Sequence, residues 1–205
     1  MITEEKAMLI VISGPSGVGK GTLCKMLLEA DRRTVFSVSA TTRAPREGET
    51  DGKEYYFVTD EEFLSMKERG ELLEDAVVHG HRYGTPLKPI LDTIKDGHDV
   101  ILDIDTQGAL NVMSKVPDCV SIFVLPPSWA ALRARLLGRN TEKPEDVEIR
   151  LNNAVREVEQ LAKYRYVIVN DDGPGGLERA FDELRSIVSA ERHRTIRYTP
   201  HLNDR

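Results

Sequence analysis

The sequence predicts an α/β protein: a parallel β-sheet with helices on both faces, plus an inserted small subdomain and a helical lid. Three observations predict it. Short, nearly continuous apolar runs recur at MLIVIS (Met8 to Ser13), VFSVSA (Val35 to Ala40), DVILDID (Asp99 to Asp105), CVSIFVL (Cys119 to Leu125) and YVIVN (Tyr166 to Asn170). Such runs suit strands buried on both faces. Segments of helical periodicity separate them, the alternation expected of a parallel sheet covered on both sides. Two polar stretches, Thr41 to about Pro89 and Gly138 to about Pro144, break that alternation.

The first run ends in GPSGVGKGT, Gly14 to Thr22. A buried strand feeding a glycine-rich loop and then a helix makes a phosphate cradle, in which successive backbone N–H groups and the positive helix end point at the anion. Gly14, Gly17 and Gly19 allow backbone conformations that a side chain would block. Lys20 would reach the β- and γ-phosphates as a point charge. The P-loop pattern asks for Ser or Thr directly after that Lys, as a hydroxyl for Mg²⁺; here Gly21 holds the place and Thr22 follows. Gly14, Pro15, Ser16, Gly17, Val18, Gly19, Lys20, Gly21 and Thr22 are the expected site for ATP. Direct Mg²⁺ ligation from the loop is weakened, leaving the metal to phosphates, water and a carboxylate elsewhere.

The remaining elements follow in order. GTLCKMLLEA (Gly21 to Ala30) reads as a helix with Leu23, Met26, Leu27 and Ala30 on one face. YYFV (Tyr55 to Val58) is strand-like, and Thr59 with Glu62 forms a capping box for a short helix toward Arg69. Beyond the polar loop GRNTEKP, Leu151, Ala154, Val155, Val158, Leu161 and Ala162 recur at helical spacing, a core stripe. The tail after Arg192 is polar and is expected to fray; Arg192, Arg194 and Arg197 there have no assigned role and are either solvated or packed on a partner subunit. The chain thus reads as one domain: a core of about 1–40, 90–128 and 164–205, an inserted subdomain of about 41–89 and a lid of about 129–163.

Composition narrows the function classes. The 205 residues are 40% hydrophobic and 30% charged, with a net charge of -6, ordinary for a soluble enzyme and contrary to a general nucleic-acid or membrane binder. Cys24 and Cys119 lack metal-ligand spacing and read as small buried side chains in a reducing compartment. No stretch approaches the ~20 apolar residues of a membrane span. MITEEKAML, acidic and short, reads as no secretory signal, so the expectation is a cytoplasmic protein, monomer or homo-oligomer.

The densest chemical signal is SVSATTRAPREGETDGKEYYF, Ser37 to Phe57. Arg43 and Arg46 are separated by Ala44 and Pro45, and Pro45 stiffens the link. Two guanidinium forks on a stiff loop clamp a phosphate dianion. Tyr55 and Tyr83 add hydroxyl donors. Beside a nucleotide-binding loop, a second anion site is what a kinase needs for its acceptor.

GPSGVGKGT, then TTRAPREGE with Gly52 and Tyr55, then LDIDTQG (Leu102 to Gly108), then IVNDD (Ile168 to Asp172) closely resemble guanylate kinase, in order and spacing, over roughly Met8 to Arg192. The resemblance implies transfer of phosphate from ATP to GMP, and to dGMP, with Mg²⁺. It implies that Arg43, Arg46, Tyr55 and Tyr83 hold the GMP phosphate and that Ser39, Glu74, Thr85 and Asp105 face the guanine, with Glu49 bracing the arginines. Guanine presents N1–H and the 2-amino group side by side, and an ionised Glu74 offers two acceptors to that edge. Adenine offers neither donor there, and a site built on such bonds rejects an analogue lacking them by about 10⁴ or more. Asp103, counted with the GMP site, ends an apolar strand where a Walker-B-type carboxylate lies, placed to hold Mg²⁺ through water or to orient Lys20 or an arginine. Asp105 would point the same way if the strand continues. Arg135 and Arg139, a helical turn apart, and Arg150 would reach over the triphosphate when the lid closes; Asn140 stands where the family usually has Gly. Lys20, Arg43, Arg135, Arg139 and Arg150 are the expected catalytic set. A phosphate acceptor needs no general base, so His79, His81 and His98 receive no role. Guanylate-kinase-like domains also serve as inactive peptide-binding parts of scaffold proteins, but with a degraded loop, whereas Lys20 is retained here.

Overall fold

The computed structural model describes residues 3–46, 48–78, 80–138 and 144–200. Along the chain run β1 (Thr3–Glu5), β2 (Leu9–Ser13), α1 (Lys20–Ala30), β3 (Thr34–Phe36), β4 (Ser39–Thr41), β5 (Tyr55–Phe57), α2 (Asp60–Glu68), β6 (Leu72–Val78), β7 (His81–Pro86) and α3 (Leu87–Lys95). They are followed by β8 (Asp99–Asp103), α4 (Thr106–Lys115), β9 (Val120–Leu125), α5 (Trp129–Leu137), α6 (Pro144–Val158), β10 (Tyr166–Val169), α7 (Gly176–Arg192) and β11 (Tyr198–Pro200).

The central sheet is parallel throughout, in the order β10-β9-β2-β8-β3. Its inner strands β9, β2 and β8 are buried on both sides because both sides are covered, whereas on the edge strand β10 Val167 and Val169 are half exposed, contrary to the expectation from its apolar run. Met8, Ile10 and Ile12 pack with Leu23 and Leu27 of α1 and Ala180, Leu184 and Val188 of α7. Leu9 and Val11 belong to the opposite layer, with Ile90 of α3 and Ala109 and Val112 of α4. This is the two-residue period of a strand, read from the layer each side chain packs into. The chain passes from β2 through α1 to β3, leaving room for β8 between them, while β9 pairs on the other side of β2. The carboxyl end of β2 is therefore a topological switch point, where ligands bind in open α/β sheets.

A second sheet, in the order β5-β4-β7-β6, pairs β4 with β5 in parallel and makes its other pairings antiparallel. Phe63 of α2 fills its core with Ala40 and Leu72. The capping box of α2 forms as read: Thr59 Oγ1 accepts from the Glu62 amide at 3.1 Å, and a Glu62 carboxylate oxygen accepts from the Thr59 amide at 2.8 Å. Helix α4 packs on β6, which brings this sheet beside the C-terminal end of the central one.

Five further expectations are corrected. The apolar run Val35 to Ala40 is two strands, not one: β3 closes the central sheet, and Ser39 and Ala40 begin β4 in the second. The run Asp99 to Asp105 ends as a strand at Asp103, and Asp105 caps α4. On α1 the buried side chains are Leu23, Cys24 and Leu27, while Ala30 is exposed. The stripe from Leu151 to Ala162 is only partly core: Ala154 is buried, Val155 is 47% exposed, and α6 stops at Val158, before the 3₁₀ turn Leu161–Lys163. The described part of the tail, through Pro200, is tied down. β11 pairs antiparallel with β1. Arg192 bonds to buried Asp99 at 2.7 Å and to Asp31, and Arg197 donates to the Asp118 carbonyl at 2.7 Å. These arginines satisfy carboxylates and carbonyls of their own chain.

Candidate active site

The loop between β2 and α1 takes its shape from Gly14, Gly17 and Gly19, all at positive φ. Gly19 is required twice over. Its φ of 95° suits a residue without Cβ, and a Cβ there would lie 2.4 Å from Asn170 Nδ2. Asn170 itself, buried after β10, donates to the Val18 carbonyl at 2.7 Å and so pins the loop from behind. The Val18 side chain belongs to the core; what it lends the loop is backbone. Lys20 Nζ rests on the loop's own carbonyls, 2.6 Å from that of Gly14 and 3.3 Å from that of Pro15. From α6, Arg150 reaches across to Ser16 Oγ at 2.9 Å.

A cavity of about 290 Å³ opens between this loop and the second sheet. It gathers Gly14, Ser16, Lys20, Arg150, Asp103 and Asp105 with Ser39, Arg43, Arg46, Glu49, Tyr55, Glu74 and Tyr83. The residues come from segments far apart in sequence, and Thr85 supports them from behind.

At one end, Glu49 meets Arg43 with two parallel hydrogen bonds of 2.9 Å, and its carboxylate also accepts the Arg46 amide at 2.7 Å. Beside it Glu49 is held below its ordinary pKa, Arg43 above its own. The Arg43 guanidinium lies 5.4 Å from the Tyr55 ring centroid, and Tyr55 meets Tyr83 edge-on. Arg46 is exposed, and its guanidinium makes no hydrogen bond to a described residue. One fork is thus fixed and the other is available to an anion.

At the other end, Glu74 stands opposite Thr85 in the β6–β7 register. It is 4% exposed, and it accepts a 2.6 Å hydrogen bond from Thr85 Oγ1. Burial pushes its carboxyl up to about 7, with the Thr85 bond pulling the other way. Asp105 lies alongside, with one carboxylate oxygen accepting the amides of Gln107 (2.8 Å) and Gly108 (3.1 Å). It reaches the cavity as a helix cap, not as the continuation of a strand. Asp103 sits at the foot of the loop, where a Cβ on Gly21 would lie 3.6 Å from its Oδ2. Burial raises its pKa and the neighbouring Lys20 lowers it.

The far side of the loop has a separate cavity of about 350 Å³, lined by Gly17, Gly19, Thr22, Arg135 and Asn170 through Gly173. Arg135 is anchored there, 2.8 Å from Asp172 Oδ1 and 2.7 Å from the Asn170 carbonyl. It is therefore brought to the loop but not to the first cavity. Arg139, Asn140 and His79 lie outside the described residues. His81 and His98 are exposed.

Residues 6–191 match the family model described as guanylate kinase. The chain belongs to the guanylate kinase family. It is 50% identical over 188 residues to the guanylate kinase of Halalkalibacterium halodurans, covering 92% of this chain and 90% of that one. It is 47% identical over 197 residues to the guanylate kinase of Caldanaerobacter subterraneus subsp. tengcongensis, covering 96% and 94%. Among solved structures, guanylate kinase from Anaplasma phagocytophilum superposes with a TM-score of 0.79 at 39% identity, covering 96% of this chain and 92% of that one. The family and the α/β fold class inferred from the sequence motifs are therefore those of the chain.

Within this guanylate kinase fold, four residues contribute in ways the sequence reading did not assign. Asn170 and Asp172 lie in IVNDD, the motif that carried the resemblance, at the end of a strand beside the switch point; that position was the available signal. Gly108 faces Glu74, and a Cβ on it would lie 2.5 Å from Glu74 Oε2. Glu157, on the last turn of α6, lines the first cavity. No sequence signal singles it out from a helix read for its apolar stripe.

Proposed function

We propose that the chain catalyses ATP-dependent phosphorylation of GMP, giving ADP and GDP, with dGMP as a second acceptor. The supporting observation is that a single cavity joins the Lys20 loop, the Arg43–Arg46 pair and the buried Glu74. The GMP phosphate would sit at Arg46, Arg43, Tyr55 and Tyr83. Its guanine would sit at Glu74, Thr85, Ser39 and Asp105. ATP would place its phosphates in the loop of residues Gly14 to Thr22, with its nucleoside toward the Arg135 cavity.

The acceptor oxygen is already largely ionised near pH 7, since a phosphate monoester's second pKa is about 6. Alignment and charge neutralisation then carry the reaction. Lys20 would leave the Gly14 and Pro15 carbonyls for the β- and γ-phosphates. Arg150 and Arg135, on helices that serve as a lid, would neutralise the transferring group, an effect worth about 10³–10⁵ in rate for arginines used this way. Closure excludes water, which would otherwise accept the phosphoryl group.

Among the described residues no cluster of three or more His, Cys, Asp or Glu is built to hold a metal ion. Mg²⁺ is commonly held by one or two carboxylates together with substrate phosphates and water. Asp103, whose carboxylate accepts no hydrogen bond from a described residue and borders Gly21, is the protein group that would hold it, beside phosphates and water. Bound there, Mg²⁺ supplies charge neutralisation to the phosphates. No described helix is long and apolar enough to cross a membrane, and we assign the activity to the cytoplasm.

The test is ADP formation with Mg²⁺-ATP and GMP, AMP, CMP or UMP as acceptor. Turnover with GMP is the expected result, and Lys20→Ala should abolish it without loss of fold. Turnover with AMP in its place would overturn the assignment of Glu74. Tight GMP binding with no turnover would point to a peptide-binding domain.

A further inference from the structure

Resting on that reading, we propose that Glu157 accepts hydrogen bonds from the ribose hydroxyls of the acceptor nucleotide and is the residue by which the lid helix senses it. Among the described residues five carboxylates line the acceptor cavity: Glu49, Glu74, Asp103, Asp105 and Glu157. Three are committed. Glu49 holds Arg43, Glu74 holds Thr85, and Asp105 caps α4. Asp103 lies beneath the loop beside Gly21, on the donor side of the cavity. Glu157 alone comes from α6, and its carboxylate accepts no hydrogen bond from a described residue. It also borders the adjoining cleft of about 350 Å³, with Thr106, Gln107 and Asn153.

A nucleoside monophosphate laid between Glu74 and Arg46 has its sugar between the two ends. The ends are provided with groups for base and phosphate, and Glu157 is the described lining carboxylate that is neither bonded to a neighbour nor set beneath the loop. A ribose presents two adjacent hydroxyl donors, and an ionised carboxylate presents two acceptor oxygens. An acid on a ribose is a pairing that nucleotide-binding folds use repeatedly. Burial raises the Glu157 carboxyl and Lys20 draws it back down, so filling the cavity with ligand donors favours its charged form.

The experiment is calorimetric titration of GMP and of 2′,3′-dideoxy-GMP into the intact chain, as wild type, Glu157→Ala and Glu157→Gln. Wild type should bind GMP about 10- to 100-fold tighter than the dideoxy nucleotide, the range for hydrogen bonds to a charged group. Glu157→Ala should bring GMP down to the level of the dideoxy nucleotide and leave the latter unchanged, which also reports that the cavity is intact. Glu157→Gln, which keeps one acceptor, should recover part of the difference. Equal weakening of both nucleotides, or no weakening of either, would overturn the proposal. Failure of wild type to phosphorylate GMP would instead remove the functional reading beneath it.

Discussion

Thr85 donates a 2.6 Å hydrogen bond to Glu74 from the directly opposing position of the β6–β7 hairpin. The pair is almost entirely out of water, at 0% and 4% exposure. A carboxylate in that position is expensive to ionise and is aimed by its neighbour, which is how a site prepares to read a donor-bearing base edge.

The expense has a sign in pH. The carboxyl of Glu74 is raised from 4.5 to about 7, so between those values the folded chain holds a proton that the unfolded chain has lost. Stability from this group is complete below pH ~4.5 and falls as pH rises through ~7, by ~3 kcal/mol in all. Glu74→Gln should therefore raise the Tm at about pH 8 and have little effect at about pH 5, while weakening GMP about 10- to 100-fold. Thermal melts at both pH values check the first part. A Tm gain equal at both would contradict it.

Gly108 admits the Glu74 carboxylate because it has no side chain. Gly108→Ala puts a methyl 2.5 Å from Glu74 Oε2 and should displace the carboxylate, at a cost of ~1–3 kcal/mol for overpacking. KM for GMP should rise while KM for ATP holds. A parallel rise in both would mean that the whole fold had shifted.

Glu49 and Arg46 should separate kinetically. Arg46→Ala removes the guanidinium free for the acceptor phosphate and should weaken GMP far more than ATP. Glu49→Ala releases Arg43 from its two 2.9 Å bonds and should lower kcat as well as raise KM, because the clamp loses its aim. Steady-state kinetics with GMP varied at saturating ATP, and ATP varied at saturating GMP, decide between these patterns.

Arg192 is a stability residue remote from the chemistry. Asp99 lies at the N-terminal end of β8, fully buried, held by the Met8 amide and Arg192 at 2.7 Å each. Arg192→Ala leaves that carboxylate with Arg33 at 3.6 Å and should cost ~3 kcal/mol, seen as a lower urea midpoint with kcat/KM unchanged. Unchanged stability would show that Arg33 suffices.

The fold was legible where the signal is local. The β2 run, the loop and α1 are contiguous, and the Thr59–Glu62 box is a four-residue pattern. The closeness of the two arginines was legible because Arg43, Pro45 and Arg46 are neighbours. What failed depends on distant partners. Nothing in VFSVSA tells that Phe36 pairs in one sheet and Ser39 in another, since both halves are equally strand-forming. The Asp103-to-Asp105 spacing suits a strand and a cap alike, and the next helix decides. The arginines of the tail read as solvated or packed on a partner subunit because Asp31, Asp99 and Asp118 lie 161, 93 and 79 residues from them in sequence.

The split between β3 and β4 leads further. The second sheet leaves the central one at Ser37 and Val38 and returns through Pro86 into α3, as one uninterrupted length of chain. That length carries the arginine pair, both tyrosines, Glu74 and Thr85, while Lys20 and its loop precede it. Most of the residues proposed to choose the acceptor thus lie in one insertion, with Asp105 and Glu157 supplied from outside it. Exchanging this insertion would replace the arginine pair, both tyrosines, Glu74 and Thr85 together and leave the Lys20 loop in place, but a new acceptor would still meet Asp105 and Glu157.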